Sequence, residues 1–335
     1  MGSEKSVETG APPAAVDFAS AAEADRRVAG VSVAGRMVRA LVEAGCDEIW
    51  LRIGDSRPLA AATGDDIARL RGSAGVEFVG PRGAPAGVAA TPAPAMDSMA
   101  ILRATAKPGD GLISRNFNRP VSQRISRILL AFPGARPIHA TIASAVLALV
   151  LFVAMVTGGH GGLILGAVLF QAASVIDGVD GEMARATWRA SDFGKSLDST
   201  IDMVTNVAFI LGLTINLGRT GDRLMLGIGL WSVVAVATGA ALIAWRVRSG
   251  GGPLNFDLLK PRPVAGDRIG LGDALLRIGT LITSRDFFAF YFMVVIIAGQ
   301  ARPALYIFAA VASGWFLYVL AALLPRQRPG FRSAA

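Results

Sequence analysis

A long apolar run that ends in carboxylates stands out in residues 161–202, GGLILGAVLFQAASVIDGVDGEMARATWRASDFGKSLDSTID. Its first half, 162–180, is long enough to cross a bilayer as a helix, since a span needs about 20 apolar residues. Four aspartates lie at the end of this segment and at the start of the next one: Asp177, Asp180, Asp198 and Asp202. A charged residue within lipid costs at least about 2.5 kcal/mol on insertion scales. The cluster therefore predicts a functional site in which these charges are compensated.

Six apolar segments predict an all-α membrane protein with six transmembrane helices: 139–157, 162–180, 199–217, 224–245, 287–300 and 304–324. The fifth segment is short for a span, and we expect its helix to begin earlier, near Ile278. Lys and Arg concentrate in the loops 181–195 and 246–286 and in the tail after Pro325. By the positive-inside rule we expect both termini to be cytoplasmic, in a multi-pass protein of the cell inner membrane.

Composition restricts both the class of protein and the type of metal site. Of the 335 residues, 53% are hydrophobic and only 17% are charged, which is rare in soluble proteins. The net charge of +8 could suit nucleic acid or anionic lipid. In so apolar a chain the positive-inside pattern accounts for it, so the expected partners are membrane lipids and no nucleic acid. With one cysteine, Cys46, and two histidines, His139 and His160, a metal site must use oxygen ligands, which favour Mg²⁺, Mn²⁺ or Ca²⁺.

Changes in composition along the chain predict five regions. They are a disordered tail at 1–28, a small α/β segment at 29–80, a Pro-, Gly- and Ala-rich linker at 81–110, a membrane domain at 111–325 and a cytoplasmic tail at 326–335. The first thirty residues contain acidic side chains and no continuous apolar core, so no signal peptide is predicted.

A basic amphipathic helix is predicted at 111–130, directly before the first span. Apolar residues such as Phe117 and Ile125 recur at helical spacing, while the arginines lie elsewhere around the helix. A helix of this kind lies in the headgroup layer of a membrane. Pro120 falls in its middle, where we expect a kink or a break.

The spacing of the four aspartates predicts a carboxylate cage. Residues three or four apart share one face of a helix, so Asp177 pairs with Asp180, and Asp198 pairs with Asp202. Two such faces across a short loop suit one or two divalent hard cations.

Small and basic residues beside the aspartates fit a phosphate ligand. Gly181 and Gly194 lack side chains, so a phosphate or nucleotide can approach the backbone closely. Arg185 lies one helical turn after Gly181 and can pair with phosphate oxygens in a bidentate way. Metal ions on a diphosphate, an arginine and a carboxylate that accepts a proton are the components of phosphoryl-type transfer.

A membrane metal-ion binding or transport protein is the alternative for the same carboxylate cluster. A transporter requires polar residues that continue across the bilayer. The six segments carry no further acidic residue beyond their cytoplasmic third, which favours the transfer reaction.

The motif resembles that of a known family. Asp177-Gly-Val-Asp180-Gly181-Glu-Met-Ala184-Arg185, followed after eight residues by Gly194-Lys-Ser-Leu-Asp198-Ser-Thr-Ile-Asp202, resembles the CDP-alcohol phosphotransferase signature, D-x-x-D-G-x-x-A-R-(x)8-G-x-x-x-D-x-x-x-D. All eight fixed positions match, and the resemblance extends over about residues 107–324. It implies transfer of a substituted phospho-group from a CDP-linked donor, such as CDP-diacylglycerol, to an alcohol. CMP would be released, in phospholipid or polyol-phosphate synthesis.

The resemblance also implies a role for each matching residue. The four aspartates would bind two Mg²⁺ or Mn²⁺ ions, and Asp202 would in addition deprotonate the acceptor hydroxyl. The CDP donor would be held by four residues: Gly181, Ala184, Arg185 and Gly194. We also expect a homodimer.

Inositol or another polyol is the expected acceptor. Residues 110–127 and 177–185 are similar in wording to bifunctional di-myo-inositol-phosphate phosphate synthases and to phosphatidylinositol-phosphate synthases. Those enzymes usually carry an arginine after the last aspartate, where this chain has Met203, so the sequence leaves open whether the acceptor is phosphorylated. Positive charge for the acceptor could come instead from three residues: Lys195, Arg119 and Arg285.

A second resemblance lies in residues 28–53, VAGVSVAGRMVRALVEAGCDEIWLRI, which are similar to the interior of a sugar-phosphate nucleotidyltransferase. That family's Gly-rich nucleotide loop, with its Arg and Lys, does not precede the segment. We therefore expect a degenerate fragment without nucleotidyl-transfer activity.

Overall fold

The chain folds into two compact units. The structure, a computed structural model, describes residues 13–80, 83, 88–107, 110–219, 221–249 and 285–323. The N-terminal unit comprises the residues up to 106 together with 123–135 and 182–189. The membrane unit comprises 107–122, 136–181 and the residues from 190 onwards.

A parallel sheet with helices forms the centre of the N-terminal unit. The strands are β1 (Ala14–Phe18), β2 (Arg27–Val28), β3 (Val31–Ser32), β4 (Glu48–Ile53), β5 (Gly75–Val79) and β6 (Ala90–Pro92). The helices are α1 (Ala21–Asp25), α2 (Val33–Glu43), α3 (Ala61–Leu70) and α4 (Ser98–Ala104). Four strands pair in the order β5-β4-β1-β6, all parallel, and β2 pairs with β3 as a short antiparallel ribbon.

The N-terminal boundary differs from the sequence prediction. Residues 14–28, expected to belong to a disordered tail, form β1, α1 and β2, so that prediction is wrong for them. Val16 and Phe18 are buried because β1 lies between β4 and β6. Strand β6 and helix α4 likewise form within the predicted linker. Short Ala-rich strands have a weak sequence signal, since burial between neighbours stabilises them more than intrinsic propensity does.

A helical segment precedes the spans, as predicted, but it has two parts. A π-helical turn, Ser114–Asn118, leads into α5 (Arg119–Leu129). Helical backbone already begins at residue 112, so Pro120 lies within the segment, directly after the π-helical turn that accommodates its missing N–H. The exposed side of the segment includes Phe117, Val121 and Ile128, whereas its serines are buried. This arrangement supports the predicted contact with lipid, which stays a prediction.

Five long apolar helices dominate the membrane unit. They are α6 (Pro137–Thr157), α7 (Gly159–Ala186), α8 (Asp192–Gly218), α9 (Arg223–Ser249) and α11 (Ala301–Leu323). Among the described residues these five are long and apolar enough to cross a membrane, and α10 (Arg285–Ile297) is shorter. A multi-pass membrane protein is thereby confirmed, while the sixth span stays a prediction. The expected start of that span near Ile278 lies outside the described residues.

The core of the membrane unit contains packed aromatic rings. Phe170 of α7 stacks on Phe209 of α8 with ring centroids 4.2 Å apart, and Phe292 of α10 packs against Phe209 at 5.6 Å. These contacts hold α7 and α8 side by side in the apolar part of the unit. The same two helices carry the aspartate motif, at the end of α7 and at the start of α8.

Candidate metal centre

The aspartates lie at two helix ends that a short connection joins. Asp177 and Asp180 belong to the last turns of α7, and Asp198 and Asp202 belong to the first turns of α8. Ser191 caps α8 by accepting a hydrogen bond from the Gly194 backbone N–H at 3.0 Å, as serine commonly does at this position. Because only residues 187–191 separate the helices, the two halves of the motif fold next to each other in the chain.

Three of the four carboxylates form a group that could hold a metal ion. One carboxylate oxygen from each of Asp177, Asp198 and Asp202 lies within 4.8 Å of the other two. All three residues are half-buried. Three carboxylates without nitrogen or sulphur ligands suit a hard divalent cation such as Mg²⁺ or Mn²⁺. The donor set in the structure thus fits the metal type that composition predicts.

Asp180 lies next to this group and differs from it in its contacts. It is only 7% exposed, and its Oδ2 atom accepts a 2.7 Å hydrogen bond from the Thr141 hydroxyl on α6. Its carboxylate also neighbours those of Asp177 and Asp198. Asp180 thus lies beside the three grouped carboxylates and is held by Thr141, and its role as a fourth metal ligand stays a prediction.

Thr141 is a site residue that the sequence analysis missed. It lies in the second turn of an apolar span, where threonine is unremarkable because its hydroxyl usually bonds the preceding turn. Here the hydroxyl also lies 3.3 Å from the Pro137 carbonyl oxygen. The sequence offers no signal that distinguishes Thr141 from the other hydroxyl residues of α6.

Arg119 lies against the aspartate motif. A Cβ atom at Gly178 would be 3.4 Å from an Arg119 Nη atom and 3.3 Å from the Ser122 hydroxyl. The Arg119 guanidinium forms an ion pair with Asp110, with Nε 2.8 Å from a carboxylate oxygen. Both side chains are nearly buried, at 11% and 12% exposure. The absence of a side chain at Gly178 lets this ion pair approach the backbone between Asp177 and Asp180.

The other two predicted acceptor contacts differ from Arg119. Lys195 is exposed and its Nζ atom lies 3.0 Å from a carboxylate oxygen of Asp192 on the same helix. The side chain of Arg285 lies outside the described residues. Of the two candidates whose side chains the structure describes, Arg119 is nearly buried next to Gly178 and Lys195 is exposed.

The residues predicted to bind the CDP donor divide between the two units. Gly181 and Gly194 belong to the membrane unit, whereas Ala184 and Arg185 belong to the N-terminal unit. The Arg185 Nε atom donates to the Thr105 carbonyl oxygen at 2.9 Å. Helix α7 is continuous from Asp177 through Arg185.

A polar network continues from the motif along α7. Ser174 donates to an Asp286 carboxylate oxygen at 2.7 Å and receives a hydrogen bond from Asn118 at 3.3 Å. Gln171 donates to the Asn118 amide oxygen at 2.8 Å. Ser174 and Gly178 follow Gln171 by three and seven residues, which places all three on one helix face. The sequence analysis did not identify this face, although the spacing could have revealed it.

Comparisons with known proteins agree with the motif. A family described as CDP-alcohol phosphatidyltransferase matches residues 136–315. A bifunctional IPC transferase and DIPP synthase of Aquifex aeolicus is 40% identical over 114 residues, which are 34% of this chain and 25% of that protein. The enzyme of the same name from Thermococcus kodakarensis is 33% identical over 30% of this chain and 22% of its own length.

A shorter match links the chain to a second named activity. An archaetidylinositol phosphate synthase of Methanothermobacter thermautotrophicus is 44% identical over 61 residues, which are 18% of this chain and 31% of that protein. The chain thus spans only about a quarter of the length of the curated relatives that it matches.

Proposed function

The chain belongs to the CDP-alcohol phosphatidyltransferase family, as its motif predicts, and we propose that it transfers a substituted phospho-group from a CDP-linked donor to an alcohol, with release of CMP. The observation that carries the proposal is the group of three carboxylates, Asp177, Asp198 and Asp202, within 4.8 Å of one another. They occupy three fixed positions of the family motif.

CDP-alcohol phosphotransferases use divalent metal ions, and the grouped aspartates are suitable ligands. Asp177, Asp198 and Asp202 would hold the metal, and Asp180 would complete the site from its place beside them. We propose two ions, either Mg²⁺ or Mn²⁺. When bound, the ions neutralise charge on the donor diphosphate and on the leaving CMP.

Asp202 is the proposed general base. It would accept the proton of the acceptor hydroxyl while that oxygen forms its bond to the donor phosphorus. The bond from this phosphorus to the bridging oxygen breaks, and the electron pair leaves with CMP. Arg185 would hold the diphosphate oxygens in a bidentate way, while Gly181, Ala184 and Gly194 leave space for the nucleotide.

A lipid-linked donor, such as CDP-diacylglycerol, fits the surface beside Asp202. An apolar groove of about 330 Å³ begins at the next residue, Met203. Among the described residues its lining is apolar: Phe152, Met203, Val204, Val207, Ala208 and Leu211. Five of these lie at helical spacing along α8, so the groove runs along the span and suits an acyl chain. Met203, which stands where related synthases carry arginine, contributes to this apolar surface.

A polyol such as inositol is the proposed acceptor, and Arg119 is its proposed contact. The names of the relatives, IPC transferase and DIPP synthase and archaetidylinositol phosphate synthase, point to inositol-phosphate chemistry in those proteins. The position of Arg119 against Gly178 supports a contact with a hydroxyl or phosphate near the aspartates. Lys195 is exposed and paired with Asp192, which makes it the weaker candidate.

Placement in the membrane follows from the charge pattern. The concentration of Lys and Arg in the loop 181–195 supports a site at the cytoplasmic side of the cell inner membrane, with both termini cytoplasmic. We propose a homodimer as the assembly, as the family resemblance implies.

Product analysis tests the proposal. The purified full chain is incubated in detergent with CDP-diacylglycerol, Mg²⁺ and either inositol, inositol phosphate or glycerol phosphate, and the products are identified by mass spectrometry. We expect CMP and a phospho-linked polyol lipid from one of the acceptors. A protein that binds Mn²⁺ but releases no CMP with any acceptor would contradict the transferase and favour the metal-ion protein.

A further inference from the structure

The end of helix α7 and the turn after it fold as part of the N-terminal unit. Arg185 and Ala186 are the last two residues of the helix, and residues 187–189 follow it within the same unit. Within this segment Thr187 bonds back to the Met183 carbonyl oxygen through its hydroxyl at 2.7 Å. The carbonyl oxygens of Ala186 and Thr187 accept hydrogen bonds from arginines of the α/β fold.

Arg36 of α2 is the first of these arginines. Its Nη2 atom donates to the Ala186 carbonyl oxygen at 2.9 Å and to the Ala29 carbonyl oxygen at 2.9 Å, and its Nε atom donates to the Val28 carbonyl oxygen at 2.8 Å. Arg36 is 5% exposed. Burial lowers the pKa of Arg36 to about 10, which leaves it charged at neutral pH. A buried cation thus ties the β2–β3 turn to the end of α7.

Both segments held by Arg36 have unfavourable backbone conformations. Trp188 and Ala29 have φ angles of 53° and 44°, in the left-handed region that L-residues other than asparagine, aspartate and histidine rarely adopt. The Arg36 guanidinium lies 5.2 Å from the centre of the Trp188 ring, and the indole N–H donates to Glu43 at 3.2 Å. Strained residues persist where surrounding contacts hold them, and such positions concentrate at functional sites.

Gly30 makes this close approach possible. Its φ is +81°, and a Cβ atom there would lie 2.7 Å from the Leu130 side chain and 3.1 Å from the Thr187 methyl group. A side chain at this position would push the turn after α7 away. The β2–β3 turn is thus fitted to the segment that follows Arg185.

Arg69 of α3 is the second arginine. Its Nη1 atom donates to the Thr187 carbonyl oxygen at 2.9 Å. Its Nη2 atom donates to the Asp66 Oδ1 atom at 3.2 Å, which orients the guanidinium. The Oδ2 atom of Asp66 accepts a hydrogen bond from the Ser32 backbone N–H at 3.0 Å. Asp66 is buried, so this network is fixed within the fold.

Arg185 itself contacts the same unit. Its Nε atom donates to the carbonyl oxygen of Thr105, the residue directly after α4. The N-cap of α4 is Asp97, which accepts from the Ala100 N–H at 2.9 Å. Hydrogen bonds from the Ala100 and Met99 backbone lower the pKa of Asp97, which keeps this cap charged. Both the backbone around Arg185 and its side chain are therefore held by N-terminal residues.

We propose that the N-terminal α/β fold positions Arg185 for the CDP diphosphate, and that Arg36 and Arg69 are positioning residues of the transfer reaction. The inference rests on the proposed function, because it assigns the diphosphate to Arg185. It gives the α/β fold a role in the transfer reaction. The metal ligands, which lie outside this unit, do not depend on the two arginines.

Two variants of the full chain test the inference: Arg69→Ala and Arg36→Lys. Arg69 is partly exposed, so we expect Arg69→Ala to fold. This variant keeps the test valid if a change at the buried Arg36 prevents folding. Arg71→Ala is the matched control, since Arg71 is exposed and lies two residues from Arg69. CDP affinity is measured by calorimetry in detergent with Mg²⁺, and Mn²⁺ affinity is measured separately by electron paramagnetic resonance.

We expect about threefold to tenfold weaker CDP binding by each variant, as the loss of one charge-assisted hydrogen bond implies. Mn²⁺ affinity should stay within about twofold of wild type, and Arg71→Ala should match wild type in both. Unchanged CDP affinity in folded Arg69→Ala, or an equal loss of Mn²⁺ and CDP affinity, would overturn the inference alone. A wild-type chain that binds Mn²⁺ but no CDP would overturn the proposed function as well.

Discussion

The membrane unit and the N-terminal unit differ in the type of residue to which we assign a function. In the membrane unit the important groups are carboxylates in apolar helices, where any charge is costly and therefore conspicuous. In the N-terminal unit the important groups are arginines among many other charged residues, and only their buried contacts distinguish them. The comparison indicates that reacting groups can be found from sequence more readily than the groups that position them.

The largest expected effect is the loss of a grouped carboxylate in the membrane unit. Asp198→Ala removes one of three clustered oxygen ligands, and we expect turnover to fall by about 10³-fold or more because metal ions supply several kcal/mol of charge stabilisation. Asp192→Ala is the control, since Asp192 is exposed on the same helix. The two variants are compared with wild type by their initial rates of CMP release. Equal rates for the two variants would show that the three grouped aspartates take no part in the reaction.

Asp202→Asn tests whether Asp202 acts as the general base or chiefly as a metal ligand. General-base catalysis contributes about 10²- to 10⁴-fold, so we expect kcat to fall on that scale. CDP affinity should change less, because an interaction needed only in the transition state does not alter ground-state binding. Asp180→Ala is the comparison variant for CDP affinity. If both variants lose CDP binding to the same extent, Asp202 acts chiefly as a ligand.

Arg119→Ala tests the acceptor contact. The guanidinium lies beside Gly178 of the motif, and we expect the KM for the polyol to rise by about tenfold, the usual loss for one charge-assisted hydrogen bond. Lys195→Ala should leave this KM within about twofold, because exposed ion pairs contribute little. Steady-state kinetics with saturating donor give both values. A larger rise in the KM for the polyol in Lys195→Ala than in Arg119→Ala would assign the acceptor contact to Lys195 instead.

The smallest effect is expected at the residue that supports Asp180. Thr141→Val removes the 2.7 Å hydrogen bond to that carboxylate, and we expect kcat/KM to decrease by about threefold to tenfold, the value of one buried hydrogen bond. Thr157→Val is the control, because Thr157 lies exposed at the other end of α6. An unaltered kcat/KM in Thr141→Val would show that Asp180 needs no support from α6.

Local patterns in the sequence predict the aspartate motif and the long apolar helices. Pro120 predicts a kink or a break in the helix before the spans, and the structure has a π-helical turn directly before this residue. The residues that the analysis missed depend on contacts between distant segments. Thr141 meets Asp180 across 39 positions, and Arg36 meets Ala186 across 150. No single-sequence periodicity reports such contacts.

The strand β1 illustrates the same limit for the fold. Its five residues, Ala14–Phe18, follow a stretch rich in Gly and Pro and resemble the tail that was predicted there. Pairing with β4 on one side and β6 on the other fixes it as a central strand. The boundary of the N-terminal unit could therefore not be read from composition.

The metal dependence of CMP release tests the central claim most directly. The full chain is assayed with CDP-diacylglycerol and the accepted polyol, first with Mg²⁺, then with excess EDTA, and then after Mg²⁺ or Mn²⁺ is added back. We expect chelation to abolish CMP release and either ion to restore it, because the site offers grouped carboxylates of the type that hard cations prefer. Full CMP release in excess EDTA would contradict the account.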